Sequence, residues 1–327
     1  MARDIDDQLV KYLTDAHSIE EQALAQLRTA PDLAGDPEIA AAFRSHLAET
    51  EGHETATRRM LEERDASPSK LKDVVMAAGG KGFLLFARSQ PDTPGKLLAH
   101  AVSYEALEEA SYALLGEVAM RAGDTAVGDE ANRIRAEEHA MLERLLGYAD
   151  RSVEASLRKL SPDDLRDQLR SYLADAHAIE HQAVGLLERA PKIVDSGPLA
   201  AAFEDHLVET REHLELIDSR LEALGGKASM FKDAAMRLGA LNWGTFFRGH
   251  PDTPGKLVAF AYAFEHLEIG GYEQLRLVAE RAGDQETARM AGEIIAQERG
   301  AAERLASLFA VAADASLRAV GVETATP

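Results

Sequence analysis

The chain has 327 residues, long enough for two domains that each bury a core, and its acidic residues leave a formal charge of −20 at pH 7. That balance argues against a nucleic-acid partner or an anionic membrane surface, which clustered Lys and Arg would bind; an acidic exterior either draws cations or only keeps the protein soluble. With no cysteine, disulfides, thiolate zinc sites, iron–sulfur clusters and a thiol nucleophile are excluded as well.

Alanine, leucine, glutamate and arginine dominate, and apolar residues recur at three- and four-residue steps, the pattern of an all-helical protein. The start, Met1 to Asp7, is acidic and carries no signal segment, and no apolar run approaches the ~18 residues of a membrane span. A cytoplasmic location is therefore expected. The first helix is predicted over 4–28, ended by Pro31, and the second over 37–64, with Asp36 as cap and Pro37 in the first turn. Ser67 to Gln90, interrupted by Gly79, Gly80 and Gly82, reads as a long crossover holding one or two short helices. A third helix starts at Thr93 and Pro94 and stops at Gly123; a fourth is capped by Asp124 and runs toward Lys159. Together these make a four-helix bundle with a crossover between its second and third helices.

Ser161 and Pro162 then open the same series again. Tyr12, Asp15, His17 and Glu20 return as Tyr172, Asp175, His177 and Glu180, and Pro91 to Lys96 returns as Pro251 to Lys256, at a constant offset. The expected domains are 1–158 and 159–327, with the tail beyond about Ala312 frayed.

One copy serves as a control for the other. At 100° per residue, Glu20 falls within the apolar stripe of the first helix, and His46, Glu49 and His53 lie on the stripe of the second. Glu105 and Glu108 face inward on the third helix, followed by Tyr112, and Glu138 does so on the fourth. The carboxylates all sit near the midpoints of their helices, so they share one level whichever way each helix runs. The second copy keeps the set as Glu180, His206, Glu209, His213, Glu265, Glu268 and Glu298. Outward neighbours drift: Glu21 becomes His181, Glu54 becomes Leu214, Glu137 becomes Gln297 and His139 becomes Arg299.

A single glutamate on a helix is ordinarily a solvated residue with an i to i+4 partner. Five carboxylates converging in a low-dielectric core would repel one another severely, and one or two multivalent cations would neutralise them directly. His46 and His53 are two turns apart, about 10 Å along the axis, so they cannot hold equivalent places around one ion. Either is a ligand or a supporting residue. His17 and His177 are expected in a supporting or structural role, and Tyr112 and Tyr272 as core aromatics.

A glutamate on one helix, Glu with His on the next, Glu-x-x-Glu on the third and Glu on the fourth resembles the ferritin-like di-iron carboxylate superfamily. More closely, Asp15 to Gln22, His46 to Gly52 and Tyr104 to Tyr112 resemble the YciE/YciF family of bacterial stress-associated ferritin-like proteins, over about 4–150 and 164–310. The resemblance implies two tandem ferritin-like bundles packed as a fused pseudo-dimer, each with a di-metal site. It makes Glu20 and Glu138 terminal ligands, Glu49, Glu105 and Glu108 bridging or terminal ones, and His53 or His46 the nitrogen donor. The commonest superfamily pattern places His three residues after Glu on the second and fourth helices, but Gly52 and Met141 stand there, with Glu212 and Ala301 in the second copy. A carboxylate-rich set of this kind suits Fe or Mn, tolerates Mg or Ca, and disfavours Cu.

Two functions follow as expectations. One is a di-metal protein, with one or two ions per bundle, that reacts with O₂ or peroxide through an external electron donor, or that handles iron under stress. The other is a non-catalytic structural or interaction protein whose polar layer fixes the register of the bundle.

Overall fold

In a computed structural model of the protein, the described residues are 4–68, 92–194, 197–226 and 253–322, and all regular structure among them is helical. The chain divides into two compact units, residues 1–156 with 317–327, and residues 157–316. The predicted crossover at Ser67 to Gln90 lies, apart from its first two residues, outside the described residues, as does the whole of its counterpart, 227–250, in the second copy.

In the first unit, α1 (Ile5–Leu27), α3 (Pro37–Glu62), α4 (Thr93–Ala122) and α5 (Thr125–Leu146) are long, with α2 (Ala30–Leu33) and α6 (Ala149–Leu157) as short additions. The predicted stops and starts act as the sequence indicates. Asp36 Oδ1 accepts from the amides of Glu38 and Ile39 at 2.9 and 3.1 Å, satisfying donors that the helix leaves without partners. Gly123 takes the left-handed φ of 73° that ends α4, and Asp124 caps α5 by accepting from Val127 N at 3.1 Å. Pro31 does not merely end α1; it sits in the first turn of α2.

The long helices close into a ring: α1 packs against α3 and α4, and α5 packs against α4 and α3. Each therefore turns one face to a common interior, lined by residues such as Leu13, Phe43, Leu115 and Ile134. The second unit repeats the ring with α7 (Pro162–Leu187), α8 (Pro198–Ala223), α9 (Thr253–Arg281) and α10 (Gln285–Ala306), followed by α11 (Phe309–Ala319). A 3₁₀ turn at Ala190–Lys192 takes the place of α2.

The fourth helix does not run on to Lys159. It breaks at Gly147 and Tyr148, whose amides donate to Glu143 O and Leu145 O, and α6 then begins. Glycine is not the cause, because the same break recurs at Ser307 and Leu308 in the second copy. The reason lies beyond the turn: Ser156 Oγ accepts from the Gly95 amide at 2.9 Å, and Ser316 Oγ from the Gly255 amide at 2.7 Å. The bent-back helix thereby caps the start of the third long helix, whose own first amides lack intrahelical partners. From Ala312 to Val322 the expected fraying is not seen, since the helix runs to Ala319 and Leu317 and Val322 are buried; residues 323–327 lie outside the described residues.

Candidate metal centre

Glu20 on α1, His46 and His53 on α3, Glu105 and Glu108 on α4 and Glu138 on α5 all point into the first bundle and are buried to within a few per cent of full burial. They form two groups in which the donor atoms lie within 4.8 Å of one another: His46, Glu105, Glu108 and Glu138, and Glu20, His53 and Glu138. Glu138 belongs to both. Its Oε2 lies 3.2 Å from His46 Nε2 and its Oε1 lies 2.7 Å from His53 Nδ1. The two histidines thus serve different groups, as their separation along α3 requires, with ring centroids 6.4 Å apart. Glu138, expected as a terminal ligand, is the carboxylate that the two groups share.

The second bundle repeats this as His206, Glu265, Glu268 and Glu298, with Glu180, His213 and Glu298. Glu298 again divides its oxygens, Oε2 at 3.4 Å from His206 Nε2 and Oε1 at 2.9 Å from His213 Nδ1.

Glu49 and Glu209 do not join these groups. The buried stripe of α3 passes from His46 to Thr50, four residues on, which leaves Glu49 at its edge with its side chain 39% exposed. Its carboxylate instead accepts from His46 Nδ1 at 3.0 Å, and Glu209 accepts from His206 Nδ1 at the same distance. That bond directs the other ring nitrogen inward. Thr50 donates its hydroxyl to His46 O at 2.9 Å.

Sequence reasoning missed the equivalent support of the other histidine. His53 Nε2 donates to Glu137 at 2.7 Å, and His213 Nε2 donates to Gln297 at 2.6 Å. The change from Glu to Gln had the look of solvated drift, yet it preserves an oxygen acceptor, and that was the available signal. Tyr112 is more than a core aromatic: its hydroxyl donates to Glu20 Oε1 at 2.5 Å, as Tyr272 donates to Glu180. His17 lies in a third group with Glu21 and Glu54, bonded to Glu54 at 3.1 Å. The second copy has His181 and Leu214 in place of those glutamates.

Electrostatically, each cluster is costly as bare carboxylates. Burial, then the charges of Glu138 and Glu20, holds Glu108 well above the ordinary carboxylate range, and burial with Glu138 pushes Glu20 up to about 8. Burial works against protonated histidine, but the facing carboxylates prevail: His46 is raised strongly, Glu105 foremost, and His53 is raised to about 9, Glu138 foremost. Protons on these groups therefore offset part of the buried negative charge.

They do so without satisfying the donors and acceptors. Glu20 Oε2, Glu105 Oε2, both oxygens of Glu108, both of Glu138, His46 Nε2 and His53 Nδ1 are buried with no hydrogen-bond partner, and the second bundle repeats all eight. Such orphaned atoms are rare in folded proteins and ask for an explanation. His46 Nε2 lies 2.9 Å from Glu105 Oε2 and 3.2 Å from Glu138 Oε2 without hydrogen-bond geometry. Adjacent ligands around an octahedral ion with ~2.1 Å bonds are about 3 Å apart. The donor set fits a cation.

Phenylalanine at 112 tests the Tyr112 contact. It leaves Glu20 Oε1 without its donor, so Tyr112→Phe is expected to destabilise the metal-free protein by about 1–3 kcal/mol in urea unfolding. An unchanged midpoint would show that the bond is not made.

Comparison with known proteins agrees with this architecture. A family described as Domain of unknown function (DUF892) matches the chain twice, over residues 4–158 and 164–318. Protein YciF of Escherichia coli (strain K12) is 26% identical over 149 residues, which is 44% of this chain and 89% of that protein. No solved structure matches the chain. Among the described residues no helix is long and apolar enough to cross a membrane.

Proposed function

The chain belongs to the DUF892 family, twice over, and we propose that each of its copies is a ferritin-like di-metal carboxylate protein that binds two divalent ions, Fe or Mn. The observation that carries this is the shared carboxylate: Glu138 and Glu298 each turn one oxygen to either group of buried donors. Charge agrees with it. Two divalent ions cancel Glu20, Glu105, Glu108 and Glu138 while both histidines stay neutral, as ligation requires. His46, Glu105 and Glu108 would hold one ion, Glu20 and His53 the other, and Glu138 both. Glu49 and Glu137 accept the outward N–H of the two rings, fixing which nitrogen faces in.

A bound Fe or Mn pair supplies redox chemistry toward O₂ or peroxide, with electrons from an external donor, and the family resemblance connects that chemistry to stress. The chain's own residues bind and orient: the apolar ring of helices excludes water, and Tyr112 holds Glu20 by its O–H.

Elemental analysis of protein expressed with Fe and Mn present tests this. About four ions per chain are expected, two for each bundle; Glu138→Ala with Glu298→Ala loses all of them, and Glu20→Ala with Glu180→Ala loses about half. Folded wild-type protein that retains no metal would overturn the proposal. The alternative is a metal-free polar layer of histidinium and carboxylate that fixes register, favoured by the raised His46 and His53. Such a network predicts no metal.

A further inference from the structure

The inward donors of the two bundles are identical, so any difference between the centres comes from what surrounds them. Two differences surround them, and both separate the two copies in one direction. At the first histidine of each bundle the support is alike, Glu49 accepting from His46 and Glu209 from His206, and Arg144 stands in the first copy where Arg304 stands in the second. At the second, His53 donates to the carboxylate Glu137, whose other oxygen is tied to Arg133 at 2.6 Å, whereas His213 donates to the neutral amide of Gln297. The group behind the second histidine is thus a carboxylate in the first bundle and a neutral amide in the second. A carboxylate behind an imidazole makes it a more basic ligand than an amide does, and altering such partners typically changes metal affinity ~10–100-fold.

The second difference is steric. A small cavity, with room for about one water-sized molecule, lies against His206 and Glu265 and is walled by Ala301 and Arg304. Arg304 is 42% exposed, so this wall of the cavity reaches the surface. The first copy has Met141 in place of Ala301, and its longer side chain is itself buried.

From these we infer that the two centres of one chain are unequal: the first retains its metal, while the second releases and takes up divalent metal and admits a small exogenous ligand. The inference rests on the di-metal proposal and assigns its two halves different tasks. Glu137 and Gln297 are positioning residues that act through His53 and His213, Met141 closes the first centre, and Ala301 leaves the second open.

Calorimetric titration of the full metal-free chain with Mn(II) at fixed pH tests it. Wild-type protein should show two classes of site, two ions in each, differing about 10-fold or more in affinity. Glu137→Gln, on an exposed edge, should weaken only the tight class, and Gln297→Glu should tighten only the weak one, a gain that general damage to the fold cannot mimic. In stopped flow against excess EDTA, release of Mn should be biphasic; Ala301→Met slows the fast half and Met141→Ala accelerates the slow half. Four equivalent ions released in one phase would overturn the inequality and leave the di-metal proposal standing, whereas no bound Mn would overturn both.

Discussion

Removing the metal is expected to lower the melting temperature, by a margin that widens as pH rises. Two ions that bind the folded bundle and not the unfolded chain contribute about 2.7 kcal/mol each at a hundredfold excess over Kd, or roughly 5 kcal/mol per bundle. At about 2–4 °C per kcal/mol for a domain of this size, the gap is on the order of 10–20 °C. The pH dependence follows from proton counting. Glu20 is pushed up to about 8 by burial and the charge of Glu138, and Glu298 is pushed up to about 7, burial again the largest cause. His53 is raised to about 9 and His213 to about 10, because their facing carboxylates outweigh burial. Each of these groups keeps its proton in the folded, metal-free protein at pH values where the unfolded chain has lost it. The folded state then binds more protons, so metal-free stability falls with rising pH, from the ordinary carboxylate value through these raised ones. Glu138, held down to about 2 by His46 and His53 against the effect of burial, acts in the opposite sense, with stability lost only as pH falls below the ordinary carboxylate range. Metal binding expels the extra protons and strengthens as pH rises. Calorimetric melting at pH 5.5, 7 and 8.5, with and without chelator, reads both effects; a gap that is absent, or that narrows with pH, would contradict the expectation.

The duplication made much of this legible. Caps and breakers at Asp36, Pro37, Gly123 and Asp124 act where their chemistry places them, because those positions are decided locally. The break at Gly147 was not legible, since the apolar spacing continues through it and its cause, Ser156 capping Gly95, is a tertiary contact. The inward donors stood out as polar residues at core phase in both copies. Phase alone could not separate Glu49 from them, because residues three and four beyond His46 straddle the inward direction and Thr50 takes the buried place. Glu137 escaped for the converse reason. It is an exposed-side residue that reaches inward along the edge of α5, and helical phase records where a Cβ points rather than where a carboxylate ends.

Leucine at positions 108 and 268 is expected to reverse sign between the metal-free and the metal-loaded protein. Both oxygens of Glu108 and of Glu268 are buried without a partner, and burial with the surrounding charges raises both groups well above the ordinary range. Without metal, these carboxyl groups lie buried against other carboxylates and gain no hydrogen bond for their desolvation. Leucine is of similar volume, and replacing buried ionic groups by packed apolar ones commonly gains about 1–4 kcal/mol. Metal-free Glu108→Leu/Glu268→Leu should therefore melt above metal-free wild type, while added metal stabilises it far less. The neighbouring glutamates set the control. Glu20→Leu leaves the Tyr112 hydroxyl without its acceptor, which offsets the gain, and Glu138→Leu deprives both His46 and His53 of their shared carboxylate, which costs stability even without metal. A layer built only to fix register would give the reverse at 108, with leucine destabilising whether or not metal is added. Chemical denaturation of the three variants with and without Mn(II) separates the cases, because a ligand carboxylate is a liability to the metal-free fold and a structural one is not.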